Sequence, residues 1–82
     1  MSPNDLKLRD LLVETLLIDD EQYLDENGPD TIETWDSLAM VRIAAGIGEA
    51  FGYDMTPEEM VSLESIGDIK AILRSHDIRF DQ

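Results

Sequence analysis

The segment Thr34-Trp35-Asp36-Ser37-Leu38 brings a hydroxyl to the point where an irregular stretch gives way to a helical pattern. A helix N-terminus offers unpaired amides and the positive end of the helix dipole, so a phosphate carried on Ser37 would be stabilised there. Two other roles are open to the same side chain. It can cap the helix, which Asp36 could do equally well, or it can be a phosphorylation site. Serine hydrolysis is argued against, because the only histidine, His76, lies at the end of the last helical segment and there is no Gly-x-Ser-x-Gly turn. With no cysteine and one histidine there is no thiolate or zinc site. A calcium loop around Asn27-Gly28 also fails. Setting Gly28 sixth puts Tyr23 first and Thr34 twelfth, where an Asp and a bidentate Glu belong. No catalytic residue and no metal ligand is expected.

The elements that hold Ser37 are helical. Leu8, Leu11, Leu12 and Leu16 follow helical spacing, which predicts a first helix from about Asn4 or Asp5 to Leu17, with Asn4 and Asp5 satisfying its first amides. Asp19, Asp20 and Glu21 end it, and Asn27, Gly28 and Pro29 break any regular element before Trp35. So long a connection is uncommon in a small domain and more often functional, with Tyr23, Leu24 and Ile32 available to pin it. A second helix runs from about Ser37 to Phe51 and stops at Gly52. A short third helix begins at Thr56, with Pro57 in the first helical position and Glu59 completing a capping box. The fourth starts at Ser65, runs to about Ser75 and buries Ile66, Ile69, Ile72 and Leu73. No strand alternation or internal repeat is present. The fold class is all-α: a small four-helix bundle with a long loop between helices 1 and 2 and a short third helix. One domain, 1–82, has its helical core at about 4–76 and a ragged tail at 77–82, where Ile78 and Phe80 could fold back but disorder is the default.

The second helix has two faces. Met40, Ile43, Ala44, Ile47 and Phe51 form the stripe against the bundle. Leu38, Val41, Arg42, Ala45 and Glu49 share another face, and apolar Leu38 and Val41 beside Ser37 suggest partner docking. Gly46 and Gly48 imply either a closely approaching helix or space for something bound. Ten Leu, eight Ile and three Val in 82 residues suffice for a compact core without disulfides. Nineteen acids against six bases give a net charge of -13, which repels nucleic acid and anionic membranes. The N-terminus lacks a signal-peptide pattern, and no apolar run reaches the ~20 residues of a membrane span. A cytoplasmic, monomeric protein without membrane insertion is expected.

Asp36-Ser37-Leu38, preceded by a long loop and followed by Val41 and a helix ending in Phe51, resembles the attachment motif of acyl carrier proteins. The likeness extends to Thr56-Pro57-Glu58-Glu59 and Ser65-Ile66-Gly67-Asp68-Ile69, and so covers about Leu6 to Leu73. The resemblance implies a non-catalytic carrier, with 4'-phosphopantetheine from coenzyme A attached to Ser37 and acyl or aminoacyl groups held as thioesters on its thiol. It further implies that Asp36 and Leu38 belong to the surface read by a phosphopantetheinyl transferase. The other implied partners are a loading ligase and a downstream synthase or transferase. Thr34 and Trp35 depart from the family's usual glycine-containing stretch. Ala39, Arg42 and Gly48 stand where carriers of ordinary fatty-acid synthesis place acids. That difference favours a stand-alone carrier for a dedicated route (polyketide, peptide or modified acid). The rival reading is an acidic helical interaction module without a prosthetic group.

Overall fold

A computed structural model of the chain describes residues 2–80. Its α-helices are α1 (Pro3–Leu16), α2 (Ser37–Phe51), α3 (Pro57–Ser62) and α4 (Ile66–Arg74), with a 3-10 turn at Asp20–Gln22 and no strand among the described residues. The all-α architecture expected from the sequence, with four helices among the described residues, a long first connection and a short third helix, is therefore present. Leu8, Leu12 and Leu16 of α1, Ile43 and Ile47 of α2, and Ile66, Ile69 and Leu73 of α4 are fully buried together. No helix among the described residues is long and apolar enough to cross a membrane.

Helix ends follow local chemistry, with one correction. Ser2, not Asn4 or Asp5, caps α1: its hydroxyl accepts from the Asp5 amide at 3.2 Å, and Pro3 takes the first helical position. Asn4 instead donates through Nδ2 to the Arg79 carbonyl at 2.8 Å. Leu17 lies beyond the helix as a left-handed cap with φ 56°. At α3, Thr56 accepts from the Glu59 amide and Glu59 from the Thr56 amide, the reciprocal box read from the sequence.

The long loop is held by the start of α4. The Ile66 amide donates to the Asn27 carbonyl at 2.8 Å, and the Gly67 amide to the Asp25 carbonyl at 3.0 Å. Two first-turn donors of α4 are thus satisfied by loop backbone, while Ser65 takes the Asp68 amide. Gly28 makes the approach possible, because a Cβ there would lie 1.9 Å from the Glu64 carbonyl oxygen. Side chains reinforce the contact. Lys70 Nζ lies 2.6 Å from Asp25 Oδ1, 3.3 Å from Asp5 Oδ1 and 4.8 Å from the centroid of the Tyr23 ring. The Tyr23 hydroxyl donates to Asp5 at 2.6 Å. Burial foremost, then the bond to Asp5, pushes that phenol well above its ordinary pKa, so it remains a donor. Tyr23 and Ile32 pin the loop as expected; Leu24 does not and is 47% exposed.

The tail is ordered further than expected. Asp77 adopts φ 65°, the Ile78 amide donates to the Leu73 carbonyl, and the Asp77 amide donates to the Arg74 carbonyl. This left-handed reversal satisfies the last carbonyls of α4 and turns the chain back over the bundle. Phe80 is buried, its ring 6.1 Å from that of Phe51, and Ile78 packs half-buried against the core. The expected tail at 77–82 thus packs as far as Phe80, and residues 81–82 lie outside the described ones.

Gly28→Ala should force the loop away from α4 and lower stability by about 1–3 kcal/mol, the usual cost of an overpacked contact. A urea-denaturation midpoint measures it, and an unchanged midpoint would show that this close approach is unimportant.

Candidate functional site

Ser37 is the first residue of α2, and its side chain is exposed. The sequence leaves open whether Ser37 or Asp36 caps the helix; the structure decides for Asp36. Asp36 has extended backbone, and its Oδ1 accepts from the Ala39 amide at 2.9 Å. The Ser37 hydroxyl therefore has no capping duty, and it makes no hydrogen bond to another described residue. The amides of Ser37 and Leu38 have no intrahelical acceptor, as the first-turn position dictates. An exposed hydroxyl among them suits attachment of an anionic group.

The approach to Ser37 is pinned from behind. The Thr34 hydroxyl donates to the Leu16 carbonyl at the end of α1. The Trp35 amide donates to Ile32 and the Asp36 amide to Thr34, which coils the last loop residues tightly. Trp35 itself is inserted in the core, 4% exposed.

Helix α2 turns Ala39, Ile43 and Ile47 inward, with Met40, Ala44 and Phe51 half-buried beside them. Ala39 is thus an addition to the stripe read from the sequence. Leu38, Val41, Arg42, Ala45 and Glu49 are all exposed, Leu38 at 59% and Val41 at 60%. Gly46 is explained by a close approach of α1: a Cβ there would lie 2.2 Å from a methyl of Leu11. At Gly48 the neighbour is the Asp54 carboxylate, 3.1 Å from such a Cβ.

A groove of about 410 Å³ opens between the start of α2 and α3. Trp35, Met40, Val41, Pro57, Met60 and Val61 line it, together with Asp36 and Ser37. Sequence reasoning missed this feature. The signal lay in Met60 and Val61, which a six-residue helix cannot both bury, but no pattern in the chain said that α3 would stand against the start of α2.

The lock on α3 is electrostatic as well as local. The Tyr53 hydroxyl donates to Glu59 Oε1 at 2.5 Å, and the Tyr53 ring stacks on His76 at 4.1 Å. His76 is thus engaged with Tyr53. Hydrogen bonding from Tyr53 first, then the Thr56 amide, holds the Glu59 carboxyl below its ordinary pKa of 4.5. The bond to Glu59, above all, pushes Tyr53 up to about 12. Glu59 therefore adds stability above its unfolded-state pKa and loses it as pH falls through the lower folded value. Tyr53 works in the opposite sense: its contribution is present below its unfolded-state pKa and disappears as pH rises through about 12. The stability advantage of wild type over Glu59→Gln should be constant near neutrality and shrink below about pH 4.5. Urea midpoints measured from neutral pH into the acid range check this, and a difference independent of pH would remove the carboxylate's role.

Residues 7–73 match the family described as phosphopantetheine attachment site. No curated protein matches the chain.

Proposed function

Because this chain belongs to the phosphopantetheine attachment-site family, whose domains carry the group covalently and are generally non-catalytic, we propose that Ser37 is its attachment residue and that it shuttles acyl or aminoacyl groups. The carrying observation is the division of labour at the start of α2. Asp36 takes the cap, and Ser37 stands exposed one residue into the helix.

The residues present suit the group. A phosphodiester on Ser37 Oγ is an anion among first-turn amides, an arrangement worth roughly 0.3–1 kcal/mol at an exposed helix start. In attachment the hydroxyl loses its proton, and its oxygen displaces adenosine 3',5'-bisphosphate from the pyrophosphate of coenzyme A: the pyrophosphate P–O bond breaks as the ester bond from Ser37 Oγ to phosphorus forms. When bound, the group supplies a terminal thiol on which cargo is held as a thioester. Asp36 and Leu38 flank the hydroxyl and form the surface a phosphopantetheinyl transferase reads.

Partner docking falls on Leu38, Val41, Arg42, Ala45 and Glu49. In a chain with 19 acids, α2 carries only Arg42 and Glu49 as charges. Its exposed face is therefore apolar with one charge of each sign, which suits a loading ligase or downstream synthase presenting an apolar patch rather than a basic groove. That supports a dedicated biosynthetic route over housekeeping fatty-acid synthesis.

Incubation with coenzyme A and a promiscuous phosphopantetheinyl transferase should add one phosphopantetheine mass to wild type and nothing to Ser37→Ala, read by intact mass spectrometry. No gain with several transferases would leave the acidic interaction module as the better reading.

Leu38→Ala and Val41→Ala should change stability by no more than about 0.5 kcal/mol, since both side chains are exposed, yet slow loading. Ile43→Ala and Ile47→Ala should each cost about 2–5 kcal/mol as buried truncations. Thermal melts paired with loading rates separate the two classes, and a large loss of stability at Leu38 or Val41 would reassign them to packing.

A further inference from the structure

Helix α1 ends on a residue in an uncommon conformation. Leu17 has φ 56°, a left-handed geometry that a residue with a Cβ seldom adopts. Its side chain is 83% exposed, so burial does not account for it. The equivalent turn after α2 is made by Gly52, whose amide returns to the Gly48 carbonyl and closes that helix with its own backbone. At α1 the carbonyl of Leu16 lies in the last turn, where the helix supplies no amide. It accepts instead from the hydroxyl of Thr34, 18 positions further along the chain. The end of α1 is thus shaped to hold the stretch that leads into α2.

This hold continues to Ser37 through bonded neighbours. The Thr34 carbonyl accepts from the Asp36 amide at 3.0 Å, and Asp36 Oδ1 accepts from the Ala39 amide at 2.9 Å. Ser37 lies between those two bonds in the chain. Thr34 itself is at the surface, so its hydroxyl anchors the segment where its bulk packs little. We propose that Thr34 is a positioning residue for the modification of Ser37: its bond to Leu16 fixes the aim of the Ser37 hydroxyl in the transferase complex. The inference rests on the assignment of Ser37. Displacement at phosphorus needs the attacking and leaving oxygens nearly in line, so the rate depends on where Oγ points as well as on docking. The exposed face of α2 is held separately, by the burial of Ile43 and Ile47. Loss of the Thr34 bond therefore loosens the hydroxyl and leaves the docking face in place.

Thr34→Val removes the donor and keeps the side-chain shape, whereas Thr34→Ser keeps the donor. Each is converted with coenzyme A by an excess of phosphopantetheinyl transferase in single turnovers, after thermal melts establish that it is folded at the assay temperature. Thr34→Val should lose about tenfold in maximal rate while the half-saturating transferase concentration stays within about twofold of wild type. Thr34→Ser should restore the rate. In nitrogen-15 relaxation the Ser37 amide of Thr34→Val should show a lower order parameter, with the Ile43 and Ile47 amides unchanged. A folded Thr34→Val with the wild-type maximal rate would overturn the inference, as would a lost rate that Thr34→Ser fails to restore. A change confined to the half-saturating concentration would also overturn it, placing Thr34 on the docking surface. If Thr34→Val does not fold, Thr34→Ala, which puts no extra methyl against the carbonyl, takes its place in the same measurements. Failure of both to fold would reduce Thr34 to a stability role and end the proposal. A wild type that no transferase loads would sink the Ser37 assignment itself.

Discussion

The bundle depends on the way a 19-residue excursion without a long helix, residues 17–35, is made rigid between the end of α1 at Leu16 and the cap at Asp36. A loop buried against a core must find partners for its own backbone, or it costs more than it contributes. Here the carbonyls of Asp25 and Asn27 meet the free amides of α4, so two sets of unsatisfied groups cancel each other. The price is steric, and Gly28 meets it by offering no side chain to the Glu64 carbonyl. Tyr23, Ile32 and Trp35 then enter the core from the loop, and Trp35 sets the position from which Asp36 and Ser37 depart.

Charge follows the same logic. A chain with a net charge of -13 works against its own compaction through repulsion. Its bases are few and are placed where they act. Lys70 is buried between Asp5 and Asp25 and under Tyr23, which joins α1, the loop and α4 at one point. Lys7 reaches the Ala50 carbonyl and the Phe51 ring, a cation at the C-terminal end of α2. Arg42 is left as the only base on the helix that starts with Ser37.

The two helices around the groove differ in how they are held. α2 is fifteen residues long and buries Ile43 and Ile47 completely. α3 has six residues, none of them buried, and relies on its capping box and on the Tyr53–Glu59 hydrogen bond. The wall on the α3 side therefore has the lower local stability, so any adjustment of the groove to a bound group is expected there.

Much of this protein is written in local sequence. Helical spacing set α1, α2 and α4. Thr56-Pro57 with Glu59 announced α3, because caps and boxes act over three residues. The segment proposed for attachment was equally plain, since the loop–helix junction and Ser37 are neighbours in the chain. What stayed hidden was long-range. Asn4 reaches Arg79 instead of capping, Asp77 adopts a left-handed turn that brings Phe80 back onto Phe51, and Gly46 answers to Leu11. Whether Asp36 or Ser37 capped the helix, and that Trp35 and α3 would together frame a groove, were decided only by packing. Periodicity and capping are encoded within a few residues, whereas contacts between distant segments depend on how the whole bundle closes, and no local pattern carries that information.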